Sequence, residues 1–207
     1  MEVVKKIFGH FFSIVFLPLL LPVYGAMFVL FTNPYAHPDM SMNIFMLIRI
    51  FLLTFFFPAF TIILLRALKF INTLDVRDRQ ERIIPYVAAG FFYIWAYVVF
   101  YKEHFDAHIA FILLGSTIAV FVDFLINILS LKVSMHTTGA GGMIAVVLVL
   151  LPYASIDAGP ILLGTIICAG CIGTARLVLG AHTEREAYLG YLIGFGSFMV
   201  AANMYHV

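Results

Sequence analysis

Three short polar segments interrupt an otherwise apolar chain: Asp-Val-Arg-Asp-Arg-Gln-Glu-Arg from Asp75 to Arg82, Lys-Val-Ser-Met-His-Thr-Thr-Gly from Lys132 to Gly139, and Ala-Arg-Leu-Val-Leu-Gly-Ala-His-Thr-Glu-Arg-Glu from Ala175 to Glu186. Guanidinium groups hold phosphate or carboxylate oxygens through paired, charge-assisted hydrogen bonds, so arginines converging from separate segments point to an anionic ligand. His136 and His182 add what phosphoryl transfer also needs. One imidazole can attack phosphorus while the other protonates the departing alkoxide, and a carboxylate hydrogen-bonded to the first fixes its tautomer.

The third segment resembles the signature S-R-x5-H-x3-D of the type 2 phosphatidic acid phosphatase superfamily, with Arg176 and His182 in register, Glu186 at the position of the Asp and Ala175 at that of the Ser. The second resembles that family's P-S-G-H: Ser134 and His136 are kept, and Val133 and Met135 replace Pro and Gly. For the family's K-x6-R-P, only a basic clamp is carried over, with Arg79 and Arg82 one helical turn apart. The resemblance implies that His182 is the nucleophile, that Glu186 orients it, and that His136 is the general acid. It implies further that Arg79, Arg82, Ser134 and Arg176 hold the phosphoryl oxygens, each well-placed donor contributing about 3 kcal/mol in the transition state. The expected activity is hydrolysis of a lipid or isoprenoid phosphomonoester or diphosphate, with no metal and no other cofactor. Transfer of the phosphoryl group to another alcohol, or non-catalytic anion binding or transport, are the alternatives.

The elements that carry these segments follow from composition. Of 207 residues, 63% are hydrophobic and 11% charged, and mean hydropathy is +1.06, against roughly half apolar and about a quarter charged in a soluble domain. A net charge of +1 and the absence of a basic, aromatic-studded run argue against nucleic acid as a partner. A helix needs about 20 apolar residues to cross the hydrocarbon. The runs predict spans at 11–31, 43–65, 83–101, 108–131, 138–151, 159–179 and 187–205, the fifth being the shortest. The fold class is therefore all-α: one polytopic bundle of six or seven spans over residues 1–207, without a soluble domain. The first run, with Lys5 and Lys6 ahead of it, is read as a retained span, too long for a signal core. Gly164, Cys168, Cys171 and Ala175, then Gly190 and Gly194, suit close helix packing.

Alternate connectors of such a bundle share a membrane face. Those after spans two, four and six hold all three polar segments, whereas those after one, three and five hold Lys102 as their firm basic residue. With Arg79, Arg82 and Arg176 set aside as ligand-binding, Lys5, Lys6, Arg66, Lys69 and Lys132 still lie on the equipped face, and the positive-inside rule makes that face cytoplasmic.

Other features have plainer readings. Thr183-x-x-Glu186 is also a helix capping box, and a break near Gly180 is needed to bring Arg176 and His182 to one side. Asn72-x-x-Asp75-x-x-Asp78 supplies at most one of the two Asp-rich magnesium sites a prenyltransferase needs. His104-x-Asp106-x-His108 is a surface loop on the opposite face. Asp123, well inside a span, is expected to make a structural contact with Asn127 one turn away.

Overall fold

The computed structural model describes residues 2–33, 39–70, 79–103, 106–129 and 131–207, with the side chains of 2–3 and 79–82 outside that description. The described residues form helices α1 (Glu2–Val15), α2 (Leu21–Thr32), α3 (Met40–Phe51), α4 (Phe57–Ala67), α5 (Arg79–Lys102), α6 (Ala107–Ile128), α7 (Met135–Leu150), α8 (Gly159–Val178) and α9 (Glu184–Tyr205). Seven stretches are long and apolar enough to cross a membrane, and the chain is a multi-pass, all-helical membrane protein. The fifth stretch runs from Met135 to Tyr153 and so begins three residues before the expected start at Thr138. Ser134 is its N-cap, and His136 belongs to its first turn instead of a connector.

Two spans are composite. Pro18 and Pro22 interrupt the first, because proline lacks an N–H and its ring collides with the carbonyl four residues back. The chain passes through a 3-10 turn, Pro18–Leu20, between α1 and α2. A π-helical turn, Leu52–Phe56, joins α3 to α4 in the second span.

The centre of the bundle is α7 against α9, and glycine sets their separation. A methyl group at Gly194 would overlap the Thr138 carbonyl, one at Gly190 the Thr137 hydroxyl, and one at Gly141 the Tyr191 carbonyl. Phe198 of α9 fills the adjoining gap, against Gly115 of α6 and Gly142 of α7, edge-on to Phe111 at 5.9 Å. In membranes such close approach replaces the hydrophobic effect as the source of helix adhesion. Gly164 departs from the expectation: a methyl group there would meet nothing within 4 Å.

The face opposite the polar segments is held by local pairs. Arg49 Nη2 donates to Glu103 Oε1 at 2.7 Å, and this bond keeps the Glu103 carboxyl below the ordinary range. Asp106 caps α6 and accepts from His108 Nδ1 at 2.7 Å. Burial pushes the Asp106 carboxyl up, but the His108 hydrogen bonds outweigh it and hold the group low. Among the described residues no three His, Cys, Asp or Glu side chains converge as a metal cluster; His104 lies outside them.

Gly194→Ala is predicted to force α7 and α9 apart, an overpacking defect of about 1–3 kcal/mol that lowers the thermal unfolding midpoint in detergent. Gly164→Ala should leave it unchanged or raise it, alanine being the better helix former. Equal midpoints for the two variants would contradict the backbone contact.

Candidate active site

Helix α8 ends one turn after Arg176. Gly180 takes a left-handed φ of 62°, its N–H donates to Leu177 O at 2.9 Å, and the Ala181 N–H donates to Arg176 O at 3.1 Å. This pair of bonds is the Schellman arrangement that closes a helix and reverses the chain. The turn puts His182 on a path back toward the end of α8 that carries Arg176, which a continuous helix would not do.

His182 is then fixed by the start of α9. Its side chain is 4% exposed, and Nδ1 lies 2.8 Å from Glu186 Oε2. A carboxylate only accepts, so Nδ1 carries the hydrogen and a neutral ring keeps its lone pair on Nε2. The same carboxylate oxygen accepts from the Thr183 N–H at 3.3 Å, and the Thr183 hydroxyl accepts from the Glu186 N–H, closing the capping box. Cap and orienting partner are one residue. Lys132 joins them: Nζ donates to Ala181 O at 2.8 Å and stands 3.8 Å from Glu186 Oε2.

The start of α7 abuts this turn. The Ser134 N–H donates to Glu186 O at 3.3 Å. Ser134 is fully buried and occupies the N-cap position, yet its hydroxyl makes no capping bond and has no hydrogen-bond partner among the described residues. The first N–H groups of α7 thus lack the side-chain cap that those of α9 possess. An uncapped helix N-terminus is the natural seat of an anion.

Arg176 and His136 meet at a residue that sequence reasoning missed. Arg176, 8% exposed, donates from Nη1 to Ser13 Oγ at 3.1 Å. His136 Nε2 lies 3.1 Å from Ser13 O and donates to it, a carbonyl having no hydrogen to give. Ser13 lies in the last turn of α1, whose carbonyls lose their helical partners at the proline break. Val15 O is likewise supplied, by the Tyr24 hydroxyl at 2.8 Å. The only sequence signal for Ser13 was its place one turn before Pro18.

Arg79 and Arg82 open α5, but their side chains lie outside the described residues, as do Asp75, Arg77 and Asp78. The structure gathers the remaining site residues in two hydrogen-bonded groups: Lys132, Ser134, His182 and Glu186 at the turn between α8 and α9, and His136 and Arg176 on Ser13. Val133 and Ala175, where the phosphatase pattern has Pro and Ser, are buried packing residues. Asp123 accepts from Thr138 Oγ1 of α7 at 3.1 Å, which corrects the expected contact with Asn127.

In comparisons with known proteins, no protein-family model, no curated protein and no solved structure matches this chain.

Ser13→Ala deletes the oxygen that accepts from buried Arg176. It is predicted to destabilise the protein by about 1–3 kcal/mol, read as a lower unfolding midpoint. Thr174→Ala, which removes an exposed hydroxyl bonded within its own helix, should change stability by less than about 0.5 kcal/mol. Equal effects would show that Ser13 is not a junction.

Proposed function

We propose that the protein is a membrane phosphatase acting on a lipid or isoprenoid phosphate through a phosphohistidine. The observation that carries this reading is the His182–Glu186 pair, 2.8 Å apart, set beside the uncapped N-terminus of α7 and the buried, unbonded Ser134 hydroxyl. In the first step His182 Nε2 attacks phosphorus, the bond from phosphorus to the lipid oxygen breaks, and the departing alkoxide takes the Nε2 proton of His136. Glu186 offsets the charge that develops on the His182 ring. In the second step water attacks the phosphohistidine, gives a proton to the now neutral His136, and phosphate leaves.

Ser134, Arg176 and the Arg79–Arg82 clamp are assigned to the phosphoryl oxygens, with Lys132 lending further positive charge at Glu186. For Arg176 and His136 to engage substrate, the phosphoryl group must take over from Ser13. The apolar spans on either side suit a substrate presented from the bilayer. A second reading is favoured by the Ser13 contacts themselves: His136 and Arg176 serve as fasteners for the end of α1 in a non-catalytic anion-binding protein.

The proposal extends to orientation. Gly9 of α1 packs on Leu179 at the end of α8, so Lys5 and Lys6 share the site's face, and the positive-inside rule makes that face cytoplasmic.

Turnover of a lipid phosphate is predicted to survive EDTA, to be inhibited by vanadate, and to fall at least 10³-fold in His182→Ala, a loss on the order of 4 kcal/mol of transition-state stabilisation. Glu186→Gln should leave a slow enzyme. Wild-type rates of phosphate release in His182→Ala, or binding of phosphate without turnover, would favour the non-catalytic reading. For orientation, single cysteines at Ser41 and Gln80 in a background lacking Cys168 and Cys171 should be labelled by an impermeant thiol reagent on intact cells at 41 and not at 80. The opposite pattern would reverse the assignment.

A further inference from the structure

A narrow cleft, open at its mouth, lies between the broken first span and helices α5, α6 and α7. Pro18 and Pro22 of the break line it, with Tyr93, Ser116, Asp123 and Thr138, and the remaining wall is aliphatic, Met and Phe side chains. Among the described residues no Lys, Arg or His lines it. Two independent features mark it as a ligand site.

The first is Asp123. It is 2% exposed and lies five residues before the end of a membrane-spanning helix. Its one hydrogen bond comes from a neutral hydroxyl, Thr138 Oγ1. A carboxylate so placed is costly unless it takes up a proton or a cation joins it, and ionisable groups at such depth mark binding sites or proton paths by default. The second is the helix break. Irregular backbone at membrane depth is tolerated where it is buried in protein or lines a cavity, and interrupted helices characteristically border ligand sites. Here the break and the carboxylate face one another across the same cleft.

The hydrogen bonding inside selects the ligand's head. The Ser116 hydroxyl already donates to Ile112 O at 2.8 Å, and the Thr138 hydrogen is shared between Asp123 and Ser134 O. With both hydrogens committed, Asp123, Ser116 and Thr138 present oxygen lone pairs to the cleft, and the Tyr93 hydroxyl, able to donate or accept, can turn its oxygen to the same ligand. An ammonium group, three N–H donors and no acceptor, is the complement of that set. A bare divalent ion would require about six oxygen ligands, and among the described residues no second carboxylate lines the cleft. The narrow apolar wall suits a single alkyl chain.

We propose that this cleft binds a single-chain amphiphilic amine, with its ammonium on Asp123 and its chain along the broken first span. The site is separate from the His182 centre and does not depend on the phosphatase reading.

The test uses the full chain in phosphatidylcholine nanodiscs, with dodecylamine and dodecanol as probes and binding read by calorimetry against empty discs. Dodecylamine should bind saturably to wild type and to His182→Ala alike, and at least tenfold more weakly to Asp123→Asn, while dodecanol should bind weakly and equally to both. Equal affinity of dodecylamine for wild type and Asp123→Asn, no saturable binding beyond the empty discs, or dodecanol binding as tightly as the amine would overturn the proposal. Should Asp123→Asn fail to fold, carbodiimide modification of Asp123 in the wild-type protein, read by peptide mass spectrometry, takes its place. Dodecylamine should protect Asp123 and dodecanol should not; modification unaffected by the amine would overturn the proposal equally.

Discussion

At Gly141 on α7 and Gly194 on α9 two helix backbones meet directly, and at Gly190 the α9 backbone packs on the Thr137 hydroxyl. Everything at the candidate site hangs on that contact. Because α7 and α9 touch near their N-termini, the Ser134 amide reaches the Glu186 carbonyl, and the turn carrying His182 is pinned between α8 and α9. Lys132 closes the same turn from the α7 side through Ala181. A separation larger by one methyl group would part Ser134 from Glu186 and leave His182 oriented by α9 alone. Close packing of small residues, normally a source of helix adhesion in membranes, here also sets the geometry of a polar site.

A second constraint acts on the first span. Proline at 18 and 22 leaves backbone carbonyls that the bilayer cannot satisfy, so protein groups must do it. His136, Tyr24 and, through the Ser13 side chain, Arg176 gather there. The break therefore ties α1 to the two residues assigned to acid catalysis and phosphate binding, and it opens the cleft beside Asp123. Under the proposed function, a phosphoryl group would have to compete with the end of α1 for the same donors.

Much of this was legible from residue pattern. Seven apolar runs gave seven spans because backbone satisfaction in lipid leaves a helix as the only open-chain solution. Gly180 announced the reversal, and Thr183 with Glu186 announced the cap, since both are local signals with fixed geometry. Tertiary partners were another matter. Nothing local distinguishes Ser13 from any hydroxyl in an apolar span, and its role arises only when α1 runs antiparallel along α8. Asp123 paired across helices with Thr138 instead of along its own helix with Asn127, because the α6–α7 register is invisible in one sequence. The fifth span began early because Ser134 and Thr137, polar enough to read as connector, are buried against α9, while His136 turns to Ser13 of α1.

The account turns on His182 as the atom that receives phosphorus. Rapid acid-free quenching of the purified protein with a lipid phosphate, followed by peptide mass spectrometry at neutral pH, tests it most directly. A phosphoryl group on His182 that forms and decays within the catalytic cycle, and is lost on acid treatment, is the predicted result. Turnover with the phosphoryl group trapped on another residue, or with no phosphorylated protein at any time, would contradict it.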